Sequence, residues 1–309
     1  MSPLIRESRA PQPVHGRRDV LRMFGLGASA LVLGVRPWEA APASARPPKP
    51  KPTRSTTTTT TTVPTGPTPD ALSGQLWKGV GRPGDARESW TADIAALNVS
   101  WWYDWWSGAA DRNALPGVQY VPMVFRDWTT GGGPSPAAAT SGSNILLGFN
   151  EPDLPNQGNV SVARALELWP QLVDTGCRLG SPAGSSGGTG RQWLAQFMAA
   201  KPKVDFICAH WYVEYSPDSL ADYLDGLWNA YHLPIWLTEV GSLHGGEAAN
   251  AALIPNVMNV LATRPFVERV AWFATREGDG WKGVGLISSA GTFTAPGALY
   301  ADQAPVSSR

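Results

Sequence analysis

Ile145-Leu146-Leu147-Gly148-Phe149-Asn150-Glu151-Pro152-Asp153 is an apolar run that breaks off into polar and acidic residues. A stretch of helical period follows over 160–175, with Ser161 placed to cap its start and Gly176 to stop it. A second short apolar run, 178–182, comes next. A strand, a helix and a strand in this order form a right-handed crossover between parallel strands. The same alternation recurs on both sides. Strands are predicted at 76–81, 99–103, 119–125, 145–150, 178–182, 204–210, 235–238 and 267–273. Helices are predicted at 86–97, 160–175, 191–200, 219–231 and 247–263, with weaker, short or irregular segments at 109–115 and 135–141. Eight such units predict an α/β fold of the compact (β/α)₈ TIM-barrel type, with a doubly wound open sheet as the alternative. In a barrel, the residues that end the strands are those to inspect for function.

The barrel is expected to fill 71–309. Upstream, Arg17-Arg18-Asp19-Val20-Leu21-Arg22 precedes an apolar stretch over 23–35, and Ala43-Ser44-Ala45 offers small residues for cleavage. This segment, 1–45, resembles a twin-arginine export signal, with an ordinary secretory signal or an uncleaved anchor as alternatives. Each implies that the protein leaves the cytoplasm, and the export-signal reading that it is secreted, by the twin-arginine route. Residues 46–70 are rich in Pro, Lys and Thr, with an unbroken Thr run over 56–62. They contain too little apolar surface to offset the entropy of ordering and are expected to be a disordered linker.

The chain has a formal charge of zero, yet residues 1–70 carry six excess positive charges and the remainder six excess negative ones. An acidic body disfavours nucleic-acid partners, whose affinity depends on Lys and Arg displacing counterions. No membrane contact beyond a leader tether is expected, and the body is expected to be monomeric. Only 16% of residues are charged against 43% hydrophobic, which argues against disorder and coiled coil over most of the length.

Tryptophan occurs 15 times, and many indoles stand at predicted strand ends. These include Trp101-Trp102-Tyr103-Asp104-Trp105-Trp106, Arg126-Asp127-Trp128, His210-Trp211-Tyr212 and Trp272-Phe273. An indole offers a flat apolar face beside a polar N–H, which suits the C–H face of a sugar and its hydroxyls. Trp102, Trp105 and Trp211 are therefore expected to bind substrate, whereas Trp90, Trp169, Trp193 and Trp228 lie on helices and read as core. Two carboxylates close buried strands, Glu151 after 145–150 and Glu239 after 235–238. A charge there must be paired, solvated or chemically employed. On the strand count they cap the fourth and seventh strands and face each other across the barrel mouth. Such a pair can act as acid/base and nucleophile on a glycosidic bond.

Other motifs compete. Gly79-Val80-Gly81-Arg82-Pro83-Gly84 has the G-x-G-x-x-G spacing of a dinucleotide site, but its acidic candidate, Asp104, is crowded by indoles. Gly184-Ser185-Ser186-Gly187-Gly188 matches G-x-S-x-G, although the residues before Arg191 should leave its serine on a slack loop. His210, His232 and His244 lack close metal-ligand spacing, and no metal or cofactor is expected. Cys177 and Cys208 lie on or beside neighbouring strands, either reduced or bridged.

Asn150-Glu151-Pro152 and Trp236-Leu237-Thr238-Glu239-Val240-Gly241 resemble the two catalytic strand ends of clan A retaining glycoside hydrolases. With Gly148–Asp153, His210-Trp211-Tyr212 and Trp272-Phe273, the resemblance narrows to glycoside hydrolase family 128, over 76–300. It implies a compact (β/α)₈ barrel that cleaves β-1,3-glucan with retention. Carried over by position, it makes Glu151 the acid/base and Glu239 the nucleophile, and gives Asn150 the 2-hydroxyl of the sugar. It also places an orienting partner for the nucleophile at His210 or Tyr212 and an aromatic subsite floor at Trp272. Two further readings remain: a polysaccharide-binding barrel without catalysis, and a retaining glycosidase for another β-linkage.

Overall fold

The computed structural model describes residues 76–83, 90–105, 115–131, 133–140, 143–278 and 280–303. The predicted export signal, the linker, Gly84 and Trp106 lie outside these residues. The described residues fall within one compact unit of the chain.

Eight parallel strands appear in sequence order: β1 (Trp77–Gly81), β2 (Trp101–Tyr103), β3 (Gln119–Tyr120), β4 (Ile145–Leu146), β5 (Arg178–Leu179), β6 (Ile207–Tyr212), β7 (Ile235–Gly241) and β8 (Val267–Phe273). Six form one sheet in the order β3-β2-β1-β8-β7-β6, and β4 pairs with β5. Bridges at Met123–Leu147 and Gly180–Phe206 join the two groups on either side, closing the ring. The helices are α1 (Trp90–Ala96), α2 (Trp128–Gly131), α3 (Pro136–Ala139), α4 (Val162–Val173), α5 (Gly188–Ala199), α6 (Leu220–Tyr231), α7 (Gly246–Ala262) and α8 (Ala295–Asp302). This is the mostly parallel, helix-alternating architecture expected of a (β/α)₈ barrel. Helix α8 has no counterpart among the predicted helices.

Local chemistry explains several boundaries. Ser161 and Ser219 accept the N–H groups of Arg164 and Asp222 at 3.2 and 3.1 Å, capping α4 and α6. Ala165, Leu168, Trp169 and Leu172 form the buried face of α4 against the outside of β4 and β5. The last helix is fastened from the opposite end of the chain. Buried Lys78 on β1 donates to the carbonyls of Tyr300 and Gln303 at 2.7 and 2.5 Å, and the Tyr300 hydroxyl donates to Gly79 O at 2.6 Å. Burial pulls the Lys78 pKa down to about 8.

Aromatic side chains fill the barrel. Trp101 stacks on Tyr103 with centroids 5.8 Å apart and tilts against Trp236 at 5.4 Å, while Trp236 stacks on Phe206 at 4.0 Å. The first two glycines of the G-x-G-x-x-G stretch serve this packing. A Cβ at Gly79 would fall 2.3 Å from Trp101 Nε1, and one at Gly81 would fall 2.8 Å from the Trp105 ring. They leave room for indoles.

Two strands run further than predicted. β6 continues to Tyr212, and β7 continues to Gly241, so Glu239 lies within its strand. Along β7, Ala209 pairs with Leu237 but His210 pairs with Glu239, leaving Thr238 as an extra residue. That bulge decides the direction of Glu239. Trp236 points inward, so unbroken alternation would turn Glu239 outward; the extra residue brings it back to the interior.

Candidate active site

Glu151 and Glu239 meet at the C-terminal ends of their strands. Each, together with His210, offers an atom within 4.8 Å of the others, and all three residues are buried. His210 Nδ1 lies between the carboxylates, 3.0 Å from Glu151 Oε1 and 3.4 Å from Glu239 Oε2. Burial lowers the His210 pKa, so the ring is neutral, and a proton on Nδ1 can be donated toward either carboxylate. Among the described residues these three side chains are the only grouping of three metal-ligand types.

The two carboxyls have different surroundings. Glu239 is 1% exposed. Its Oε1 accepts the Trp105 indole N–H at 2.8 Å and its Oε2 accepts the Tyr212 hydroxyl at 2.6 Å. Tyr103, whose hydroxyl donates to Thr238 O at 2.8 Å, lies 3.4 Å from Oε1. Burial and the Glu151 charge push the Glu239 pKa up, while His210 and the donors from Tyr212 and Trp105 pull it back. Among the described residues, the side-chain partner of the Glu151 carboxyl is His210, at 3.0 Å. The Glu151 backbone lies in the left-handed region, at φ +37°, with its N–H bonded to Ala183 O at 2.7 Å. Burial, with the nearby Asp153 charge, pushes the Glu151 pKa up to about 8. The surroundings therefore favour a proton on Glu151 and a charge on Glu239.

Asn150 ends the β4 segment through a bridge to Ala183. Its Nδ2 donates to Gln157 Oε1 at 3.4 Å, while its Oδ1 is a buried acceptor with no hydrogen-bond partner among the described residues.

Three expected sugar-binding indoles turn away from this centre. Trp102 is fully buried and packs on Trp90 of α1 and on Tyr120, with centroids 4.7 and 4.8 Å away. Trp211 donates to Asp218 O ahead of α6 at 3.2 Å, on the face of β6 opposite His210 and Tyr212. Trp272 donates to Val284 O at 2.9 Å and packs on Tyr300 of α8. Strand alternation is the reason: each of these indoles neighbours the residue that does face inward, namely Tyr103, Tyr212 or Phe273. Trp105 does reach the centre, but as a fully buried donor to Glu239 rather than an open platform. Phe273 instead contributes the ring from β8, contacting Trp105, Tyr212 and Trp281 at centroid distances of 5.6, 5.8 and 5.5 Å. Tyr103, Phe273 and Trp281 were not among the expected site residues; counting inward positions by twos from Trp101 would have found Tyr103.

The competing motifs also resolve. Helix α5 begins at Gly188, so the G-x-S-x-G segment is not the slack loop expected. Ser186 Oγ nonetheless accepts the Tyr212 N–H at 2.8 Å and has no imidazole partner among the described residues. His232 caps the end of α6 and His244 meets the Tyr215 hydroxyl at 2.9 Å, both away from His210. Cys177 and Cys208 are buried, unbridged thiols.

The family described as the glycosyl hydrolase catalytic core matches residues 77–300. Alkali-sensitive linkage protein 1 of Schizosaccharomyces pombe is 33% identical over 222 residues, covering 65% of this chain; the chain spans 40% of the length of that relative. A family 128, subgroup I endo-β-1,3-glucanase from Amycolatopsis mediterranei, solved with laminaripentaose, is 35% identical with a TM-score of 0.62, covering 73% of this chain and 98% of that one. A subgroup III curdlan-specific exo-β-1,3-glucanase from Blastomyces gilchristii, solved with glucose, is 27% identical with a TM-score of 0.57, covering 74% and 98%.

Proposed function

The chain belongs to the glycosyl hydrolase catalytic-core family, within glycoside hydrolase family 128, and from that premise we propose that it is an exported, retaining endo-β-1,3-glucanase with Glu151 and Glu239 as its catalytic pair. The observation that carries this reading is the placement of an oxygen of each carboxyl within 4.8 Å of the other, on either side of His210 Nδ1. Retaining glycosidases hold their carboxyls about 5–5.5 Å apart, whereas inverting ones need roughly 6.5–9.5 Å to admit a water.

In the first step Glu151, protonated near neutrality, gives its proton to the leaving oxygen, and Glu239 attacks the anomeric carbon. Trp105 and Tyr212, one on each carboxylate oxygen, fix the direction of attack. In the second step Glu151, now ionised, takes a proton from water, and that water releases the sugar from Glu239. His210 donates toward whichever carboxylate carries the charge. The unpartnered Oδ1 of Asn150 supports a contact to the sugar 2-hydroxyl, which strengthens as the ring flattens toward the oxocarbenium-like transition state. Endo action follows the subgroup I likeness, and export follows the Arg17-Arg18 leader.

The test is hydrolysis of laminarin by Glu151→Gln and Glu239→Gln, with products followed by NMR. Both variants should lose turnover, about 10²–10⁴-fold for the acid/base, and the wild type should release a spread of oligosaccharides first seen as β-anomers. Normal turnover by either variant, or α-anomers as first products, would overturn the proposal.

A further inference from the structure

The Gly184-Ser185-Ser186-Gly187-Gly188 segment has the spacing of a nucleophile elbow, yet its serines lead in two other directions. Ser185 gives its backbone N–H to Asp153 Oδ1 at 2.9 Å and its hydroxyl to Asp153 Oδ2 at 2.6 Å, and the Thr189 hydroxyl gives Oδ2 a second bond at 2.9 Å. Asp153 stands two residues beyond Glu151. Ser186 Oγ accepts the Tyr212 N–H at 2.8 Å, and the Tyr212 phenol donates to Glu239 Oε2 at 2.6 Å. Both serines are buried, at 8% and 3% exposure. Glycines make the turn tight enough for this. A Cβ at Gly184 would lie 2.4 Å from Gly190 O, and one at Gly190 would lie 2.1 Å from Ser185 O.

We propose that Ser185 and Ser186 form a two-armed positioning clasp, one arm fixing Asp153 beside the acid/base and the other fixing Tyr212 against the nucleophile. The inference rests on the roles given above to Glu151 and Glu239. A carboxylate held in place near Glu151 opposes a second negative charge there, so Glu151 keeps its proton to higher pH. A phenol held against Glu239 stabilises the anion, so Glu239 stays ionised to lower pH. The arms therefore act on opposite limbs of the pH–rate profile, and adjacent residues set both.

The experiment is the pH dependence of kcat/KM and kcat on laminari-oligosaccharides for the wild type, Asp153→Asn and Ser186→Ala. Asp153→Asn should move the basic limb down by about half a pH unit or more and leave the acidic limb in place. Ser186→Ala should move the acidic limb up, leave the basic limb in place, and lower kcat several-fold with little change in KM. Tyr212→Phe should reproduce the acidic-limb shift. Unmoved limbs in folded variants, limbs that move together, or a shift in Tyr212→Phe that Ser186→Ala lacks would overturn the clasp. Should Ser186→Ala fail to fold, rescue by Ser186→Thr with a wild-type acidic limb supports the clasp, and failure of that rescue counts against it. Inactivity of Glu151→Gln and Glu239→Gln stands independently, so loss of the clasp leaves the catalytic pair intact.

Discussion

The Trp105 indole N–H donates to Glu239 Oε1 at 2.8 Å from a backbone held in the left-handed region, at φ +57°. A bulky residue at positive φ costs roughly 1–3 kcal/mol and persists only where its surroundings over-determine it. Here the backbone turns as soon as β2 ends, and the ring comes to rest against Glu239, Tyr103 and Phe273. With Tyr212 on the other oxygen, the carboxylate has a fixed donor on each side, so its orientation is set before any sugar arrives.

Trp105→Phe keeps an aromatic ring, though a smaller one, and removes the donor. Its kcat should fall about ten- to a hundredfold with KM nearly unchanged, since the lost contact acts on the attacking carboxylate. Trp102→Ala should behave in the reverse manner. Its ring is buried between β2 and α1, so it should cost about 3–5 kcal/mol of stability while the folded fraction turns over normally. Steady-state kinetics beside urea melts separate the two; a raised KM in Trp102→Ala would return that indole to the sugar site.

Activity should follow a bell in pH. The acidic limb belongs to Glu239, whose pKa lies above the usual carboxylate value, and the basic limb to Glu151, near 8. An aryl glycoside whose leaving group needs no proton bypasses the acid step. Glu151→Gln should cleave the glycosidic bond of that substrate with the basic limb gone. A limb near pH 8 that persists in Glu151→Gln would assign it to another group.

Stability should fall as pH rises through neutrality. Glu151 titrates near 4.5 when unfolded and near 8 when folded, so between these values the folded state binds more protons. Its contribution is fully present below about pH 4.5 and is lost progressively up to about pH 8, at no more than about 1.4 kcal/mol per pH unit. His210, whose folded pKa is lowered, works in the opposite sense below its ordinary 6.5, and Lys78, pulled down to about 8, works in the opposite sense as pH approaches that value, so the carboxyl is isolated by the difference between the wild type and Glu151→Gln rather than by the wild-type slope alone. Glu151→Gln should flatten the fall in urea melts. Equal slopes for the two proteins would contradict the shift.

The eight strands and the two glutamates were legible because a buried parallel strand shows as an apolar run and each carboxylate interrupts one. Inward and outward positions were not. Trp101-Trp102-Tyr103 is apolar on both faces, since one side fills the barrel and the other packs under a helix. Alternation then leaves no trace, and Trp102, Trp211 and Trp272 each stand one residue away from the side chain that faces inward. The bulge at Thr238 was equally silent, because a backbone irregularity on a buried strand changes no residue type. The role of Ser185 and Ser186 depends on contacts with Asp153 and Tyr212 that only the closed ring brings together.

The ring is unevenly laced. Glu239 lies inside a ladder six strands wide, whereas Glu151 follows β4, which shares two register pairs and the Asn150–Ala183 bridge with the β5 side and the Met123–Leu147 bridge with the β3 side. Short ladders breathe at lower free energy than long ones. Warming should therefore widen the distance between proton donor and attacking oxygen before the barrel melts. Inactivation would begin below the melting temperature and reverse on cooling, with amide exchange fastest along β4 and β5.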